Sequence, residues 1–291
     1  MAILAVQHIR RMRGGAQGHL MLGDDGEAWV VKFQNNPQHL RVLVNELMAT
    51  KLAAAAGLTV PACDVIDVTE WLTSNTPELY MDLGPRQEPC KPGLCFGSKL
   101  VGGLMPGQLV DYLPEEQLAG VKNLREFAGI LALDKWTCNA NGRQAVYTKR
   151  AREKHYTATF IDYGYCFNAG EWSFRDSPMR GVFQRNLVYE AVTGWESFEP
   201  WLSRIEAMEA QVAWEIAETV PPEWYEGDAS AIEALVERLI GRRNRVRELV
   251  ESFRESNRRP FPNWGKRPGD IRRGMFVEPG WGDRLSGGTV M

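Results

Sequence analysis

The hydrophobic pattern changes period along this chain, and that change constrains the fold more than any other feature. In residues 1–33 apolar and polar residues alternate and turn. The runs GHLML and EAWVVKF flank the turn GDDG at 23–26, which predicts an antiparallel hairpin. From Gln38 to Ala56 the repeat lengthens. Leu40, Leu43, Val44, Leu47, Met48, Leu52 and Ala55 fall three to four apart, with Gly57 as a stop and Pro61 beyond it. That spacing predicts a helix over 38–56. Short strands are expected near 61–67, 78–83 and 94–101, and the Pro- and Gly-rich stretch 84–107 carries the connection onward.

From about residue 115 the helical period dominates. Leu118, Val121, Leu124, Phe127, Ala128 and Leu131 predict a buried stripe ending just before LALDKWTCNANGRQ. A second hairpin is expected from AVYT and YTATFIDYGY around the charged turn KRAREKH. A last stripe runs from Ile232 to Phe253, with Ser230 and Glu233 read as its capping box. Its RRNRVR cluster reads as a solvated face, because Glu237, Glu248 and Glu251 interleave with it. The pattern predicts an α+β chain in two lobes: a small β-rich N-lobe over 1–103 and a mainly helical C-lobe over 104–256. The tail 257–291 holds seven Gly and four Pro, the composition of poorly ordered sequence, although Phe261, Trp264, Phe276 and Trp281 offer docking points.

Composition excludes several classes. No apolar run approaches the roughly 18–20 residues of a bilayer span. The N-terminus MAILAVQHIRRMR lacks the order of a secretory signal, so a cytoplasmic location is expected. A net charge of −3 supplies no basic field for nucleic acid, which is not expected as a partner. The five cysteines, Cys63, Cys90, Cys95, Cys138 and Cys166, are scattered and read as reduced packing residues.

Four elements of possible chemistry occur in a telling order. Gly14, Gly15, Ala16, Gln17 and Gly18 form a Gly-rich turn ahead of a strand; Lys32 lies inside the strand WVVKF. Glu46 sits on the following helix, beside Leu43 and Leu47. Asp134, Asn139 and Asp162 come in the helical half. Each has a plain structural alternative: a tight turn, an edge-strand lysine, a solvent-facing glutamate, a helix end, a turn. Phosphoryl transfer gives them a common purpose. A Gly-rich turn lets backbone N–H groups approach phosphate oxygens. A strand lysine held by a helix glutamate fixes a positive charge at the phosphates. A carboxylate orients and deprotonates the attacking hydroxyl. An asparagine five residues on and a second aspartate offer oxygen ligands to Mg²⁺. Asp134 and Asn139 have that spacing, and Asp162 precedes Tyr-Gly at a strand end, close to the Asp-Phe-Gly of protein kinases.

On these residues the chain resembles the HipA-like kinases, and more narrowly their stand-alone bacterial kinase-domain members. The matching stretches are GGAQGHLML, WVVKF, NELMATKLAAAAGLTVP, CFGSKLVGG, LALDKWTCNANGRQ, FIDYG and PPEWYEGDASAIEALVERLIGRRNRV, spanning about 10–256. The resemblance implies a protein-kinase-like fold with ATP and Mg²⁺ between the lobes, and γ-phosphoryl transfer to a Ser or Thr of a protein substrate. It implies that Lys32 pairs with Glu46 and holds the phosphates, Asp134 is the catalytic base, and Asn139 and Asp162 bind the metal. It places the adenine-contacting hinge around Lys99 to Gly103.

The chain also departs from the family pattern. No His-Arg precedes Asp134, which Leu133 and Lys135 flank. The roles of Asn141, Arg143 and Gln144 stay open. The family's prototype phosphorylates its own serine just ahead of the Gly-Ala-Gln turn. Here Arg11, Met12 and Arg13 stand there and the first hydroxyl residue is Thr50, so that self-modification is not expected. The prototype also has a further N-terminal subdomain and meets an antitoxin. Thirteen residues before Gly14 leave no room for that subdomain, so an antitoxin partner is not expected. Two other functions remain open on sequence: phosphorylation of a small molecule or AMP transfer on the same fold, and a nucleotide-binding scaffold without catalysis.

Overall fold

Alternation in the first third of the chain resolves into a closed barrel. The strands β1 (Ile3–Arg11), β2 (His19–Gly23) and β3 (Ala28–Lys32) run antiparallel, with His19 opposite Val31 and Met21 opposite Trp29. The strand β4 (Cys63–Val68) and a later strand over Gly93–Lys99 complete the circuit. That later strand pairs with β3, where Phe96 lies opposite Lys32, and with β4, which returns parallel to β1. Met21, Trp29, Val31, Phe33, Ile66 and Cys95 fill the interior. The computed structural model describes residues 2–104 and 109–267.

Between the barrel strands the chain makes a side excursion. A short helix over Glu70–Asn75, absent from the sequence-based expectation, starts where the Thr69 hydroxyl accepts the Leu72 N–H at 3.2 Å. A ribbon of β5 (Tyr80–Asp82) and β6 (Gln87–Pro89) follows, and the barrel strand over Gly93–Lys99 is β7. The helix α1 (Val42–Ala55) begins four residues later than its apolar spacing predicts. Pro37 and an Asx turn, in which Asn36 Oδ1 accepts the Gln38 N–H at 3.0 Å, hold that segment out of the helix. Gly57, at φ +80°, ends it as expected. Counting the excursion helix as α2, the C-terminal half adds α3 (Glu115–Ala119), α4 (Glu126–Trp136), α5 (Trp201–Glu206), α6 (Ala210–Glu218), α7 (Ala229–Arg242) and α8 (Val246–Arg254). Its only sheet among the described residues is antiparallel: β8 (Leu109–Val110), β9 (Gln144–Thr148) and β10 (Thr157–Ile161), with β9 central.

Several expectations need correction. The stripe from Leu118 to Leu131 is two helices, and α4 does not stop before LALDKW. It runs on to Trp136, because every residue from Phe127 to Trp136 is buried and α5 and α8 pack against it. Asp134 therefore lies in a helix's last turn, not in a loop. The last stripe is also two helices, broken by a tight turn over Arg243–Arg245. Its N-cap is Asp228, whose Oδ1 accepts the Ala231 N–H at 3.0 Å, rather than Ser230. Within the arginine cluster, Arg242 is buried. Its guanidinium donates to the carbonyls of Trp136 and Lys135 and pairs with Asp176 at 2.6 Å, so it caps the C-terminus of α4. The first residues of the tail dock: Phe261 is buried among Tyr189, Phe198 and Phe253, and Trp264 stacks on it at 5.6 Å. Phe276 and Trp281 lie outside the described residues. Among the described residues no helix is long and apolar enough to cross a membrane.

Candidate functional site

The barrel and the helical half meet at Lys32. Its position near the end of β3 brings the amine between two carboxylates from different parts of the chain. It forms an ion pair with Glu46 of α1 and donates to Asp162 Oδ1 at 3.0 Å. Glu46 Oε1 also accepts the Gly164 N–H at 2.8 Å, tying α1 to the turn after β10. Lys32 and Glu46 are both buried. Burial works against charge on the Lys32 amine, yet Glu46 and Asp162 reverse this and hold it protonated above the usual lysine range. Burial opposes ionisation of Asp162 too, and Lys32 outweighs it, so that carboxyl lies below its ordinary value. Two carboxylates share one amine, and the more buried, Glu46, is pushed upward by burial and by the Asp162 charge against the pull of Lys32.

These groups line one end of a cavity between the lobes. Gly14, Gly15, Ala16 and Gly18 border it above, while Val30, Phe96, Val146 and Ile161 give apolar walls. Lys99, Leu100 and Val101, inside the expected hinge, and Leu109 of β8 lie along it as well. A slot with apolar walls and a charged floor suits a flat heterocycle carrying an anionic chain. Gln17 is not among its lining residues. Its side chain braces the loop, with Nε2 donating to the Asp82 carbonyl at 2.8 Å and Oε1 accepting the Asp82 N–H at 2.7 Å.

Asp134 and Asn139 do not join this lining. Asp134 is fully buried, and Arg143 takes both of its oxygens, Nε to Oδ2 at 2.9 Å and Nη2 to Oδ1 at 2.5 Å. Asn139 Nδ2 donates to Asp134 Oδ1 at 3.0 Å, while its own Oδ1 accepts the Asn141 N–H at 3.0 Å. The backbone of Gly181 covers the other side. A Cβ there would fall 2.4 Å from Asp134 Cβ, at a φ of +66° that already favours glycine. In this arrangement both Asp134 oxygens face Arg143, and Asn139 Oδ1 faces the Asn141 backbone.

Two residues left open by sequence occupy the decisive positions. Arg143 links Asp134 to the strand end of Asp162, donating Nη1 to the Ile161 carbonyl at 2.7 Å, and its guanidinium lies 4.1 Å from the Tyr163 ring centroid. Gln144, the first residue of β9, borders the cavity and donates Nε2 to Asp162 Oδ2 at 2.7 Å. Their only sequence signal was their place just after Asn139.

Comparison with known proteins identifies the family and the fold. A family model described as HipA-like kinase matches residues 5–255. No curated protein matches the sequence. Among solved structures, the proinflammatory kinase CtkA of Helicobacter pylori is similar with a TM-score of 0.57 at 12% identity, covering 88% of this chain and 99% of its own. Hydra Fam20, solved with sugar, gives 0.51 at 13% identity, covering 89% of this chain and 88% of its own. At such identities the structural likeness concerns the fold: a two-lobed kinase-like α+β architecture.

Proposed function

The chain belongs to the HipA-like kinase family, and from that premise we propose that it transfers the γ-phosphoryl group of ATP, with Mg²⁺, to a Ser or Thr hydroxyl of a protein. The convergence of Lys32, Glu46 and Asp162 on one cavity beneath the Gly14–Gly18 turn carries this reading. The donor set fits the implied group: a protonated amine for phosphate oxygens, and a carboxylate oxygen of the hard type that Mg²⁺ prefers. Bound there, ATP would supply the phosphoryl group and its Mg²⁺ would neutralise part of the phosphate charge.

The chain's own residues hold and orient. Glu46 keeps the Lys32 amine in place and protonated, so its position costs nothing to organise during reaction. The Gly-rich turn, braced through Gln17 and Asp82, brings the main chain close to the phosphates. Asp134, the expected base, is held by Arg143, which ties it to the strand end that bears Asp162. A loose phosphoryl transition state draws its acceleration from positioning and electrostatics, so a strongly basic carboxylate at the acceptor is not a requirement. The reading places the enzyme in the cytoplasm, where its five free cysteines stay thiols.

The test is transfer of label from γ-labelled ATP to a protein pool by the full chain, compared with Lys32→Met. Transfer by the wild type and its loss in the variant are expected. Equal labelling by both would remove Lys32 from the chemistry. Label transferred instead from the α-phosphate, with the mass of AMP on the acceptor, would replace this reading by nucleotidyl transfer.

A further inference from the structure

We propose that the cavity lined by Gln144 and Arg185 receives the acceptor protein, and that the Arg185 guanidinium selects substrates with an acidic side chain a few residues from the phosphorylated Ser or Thr. This rests on the kinase reading above and names the kind of acceptor it takes.

The nucleotide cavity has a neighbour on the side of Gln144. Gln144, Val146 and Ile161 border both, and Gln144 holds the Asp162 carboxylate at 2.7 Å. The second cavity, of about 380 Å³, adds Tyr112, Tyr147, Phe183 and Arg185 to these three. A hydroxyl that approaches the phosphates from this side therefore has its flanking residues against that lining. The segment carrying Arg185 is pinned in place. The Tyr189 hydroxyl accepts the Phe183 N–H at 3.0 Å, and Arg258 donates to the Phe183 carbonyl at 3.2 Å.

Arg185 is only half satisfied. Its Nη1 donates to the Leu113 carbonyl at 2.5 Å, and its guanidinium carbon lies 5.0 Å from the centroid of the Tyr112 ring. Nη2 is buried and has no acceptor among the described residues. A guanidinium nitrogen only donates, so this one is shut from water without a partner, a cost that an arriving oxygen anion removes. Tyr112 is 65% exposed, so its ring has room to swing aside and admit the anion. The rest of the lining selects a carboxylate. Arg143, the other cation there, is committed to Asp134, and Asp111 stands exposed at the rim. One unpaired nitrogen beside one negative charge suits a single carboxylate better than a doubly charged phosphate. Tyr112, Tyr147 and Phe183 offer apolar contact to its methylene stem.

The experiment uses the full-length chain, γ-labelled ATP and synthetic peptides with one central Ser, in which each flanking position in turn is Glu or Gln. At one position the wild type should favour Glu over Gln by at least about tenfold in kcat/KM, mostly through KM. Arg185→Gln, which keeps a donor for the Leu113 carbonyl, should bring that ratio to within about twofold of unity. Arg185→Lys should keep part of it. Tyr112→Glu, a change at an exposed position, sets the chain's own carboxylate beside Arg185 and should lower the ratio too. Because the ratio is read within each protein, a partly unfolded variant scales both rates and leaves it unmoved. Equal use of Glu and Gln peptides by the wild type, or an unchanged ratio in Arg185→Gln, would overturn this inference while leaving the kinase reading intact. If Arg185→Gln fails to fold, Tyr112→Glu decides the matter in the same way. A stronger preference for phosphoserine than for Glu at that position would overturn the carboxylate assignment. Labelling of a protein pool but of no peptide would overturn the inference too, because recognition would then not be local. A wild type that labels neither would overturn the kinase reading itself, and the acceptor assignment with it.

Discussion

Arg143 closes both oxygens of Asp134 and reaches on to the carbonyl of Ile161, so one buried ion pair connects the end of α4 to the strand that carries Asp162. Both side chains are wholly excluded from solvent. Burial alone would lower the Arg143 pKa; Asp134 raises it above the ordinary value, so the guanidinium stays charged and the pair behaves as one unit. Breaking such a pair strands a charge in the interior, which costs far more than an exposed salt bridge contributes.

Arg143→Met should therefore destabilise the protein by roughly 3–5 kcal/mol, measured by urea unfolding. Asp134→Ala should lose a similar amount, with phosphoryl transfer falling alongside stability. A stable, folded Asp134→Ala protein defective only in transfer would show that Asp134 serves the chemistry rather than the fold. The double variant Asp134→Leu/Arg143→Met should recover part of the lost stability.

Lys32→Met leaves Glu46 and Asp162 without their shared cation. Phosphoryl transfer should drop by at least about 100-fold, and stability by several kcal/mol, on the order of a broken buried pair. Adding Glu46→Met should restore stability without restoring transfer. Label transfer and denaturant melts on the same three proteins separate the two effects.

Gly181→Ala tests the cover over Asp134. The added methyl meets Asp134 Cβ and the backbone there is left-handed, so both sterics and conformation oppose it. A loss of roughly 1–3 kcal/mol in unfolding free energy is expected. No change would show that the 177–182 segment is held loosely.

Acid should weaken the barrel through His19. Burial, helped by the nearby His8, pushes its imidazole down to about 4, while the unfolded chain takes up a proton near 6.5. The unfolded state thus binds more protons between those values, so stability is complete above about pH 6.5 and lost as pH falls toward 4. His8 and His39 are lowered by burial as well and act in the same direction. Urea unfolding at several pH values should show a shallower slope in His19→Gln. An unaltered slope would rule out His19 as a source of the effect.

The sequence was most informative where structure depends on near neighbours. Alternation at i, i+2 gave β2 and β3, and spacing at i, i+3 and i+4 gave the body of α1, because those faces are set within one segment. Lys32 was legible in a strand and Glu46 on the following helix for the same reason. The start of α1 was missed because an Asn36 side chain, not periodicity, decides it. The solvated reading of RRNRVR failed at Arg242, whose partners Asp176, Lys135 and Trp136 are remote in sequence.

By itself, the sequence determined an α+β chain in two parts and the residue types that phosphate chemistry requires. Which of those residues face the cavity was decided only in three dimensions. The continuation of α4 to Trp136 draws Asp134 inside, Arg143 seals it, and the β9–β10 register puts Gln144 beside Asp162. Spacing along a chain records which groups are available, whereas their direction follows from burial and strand pairing among distant segments.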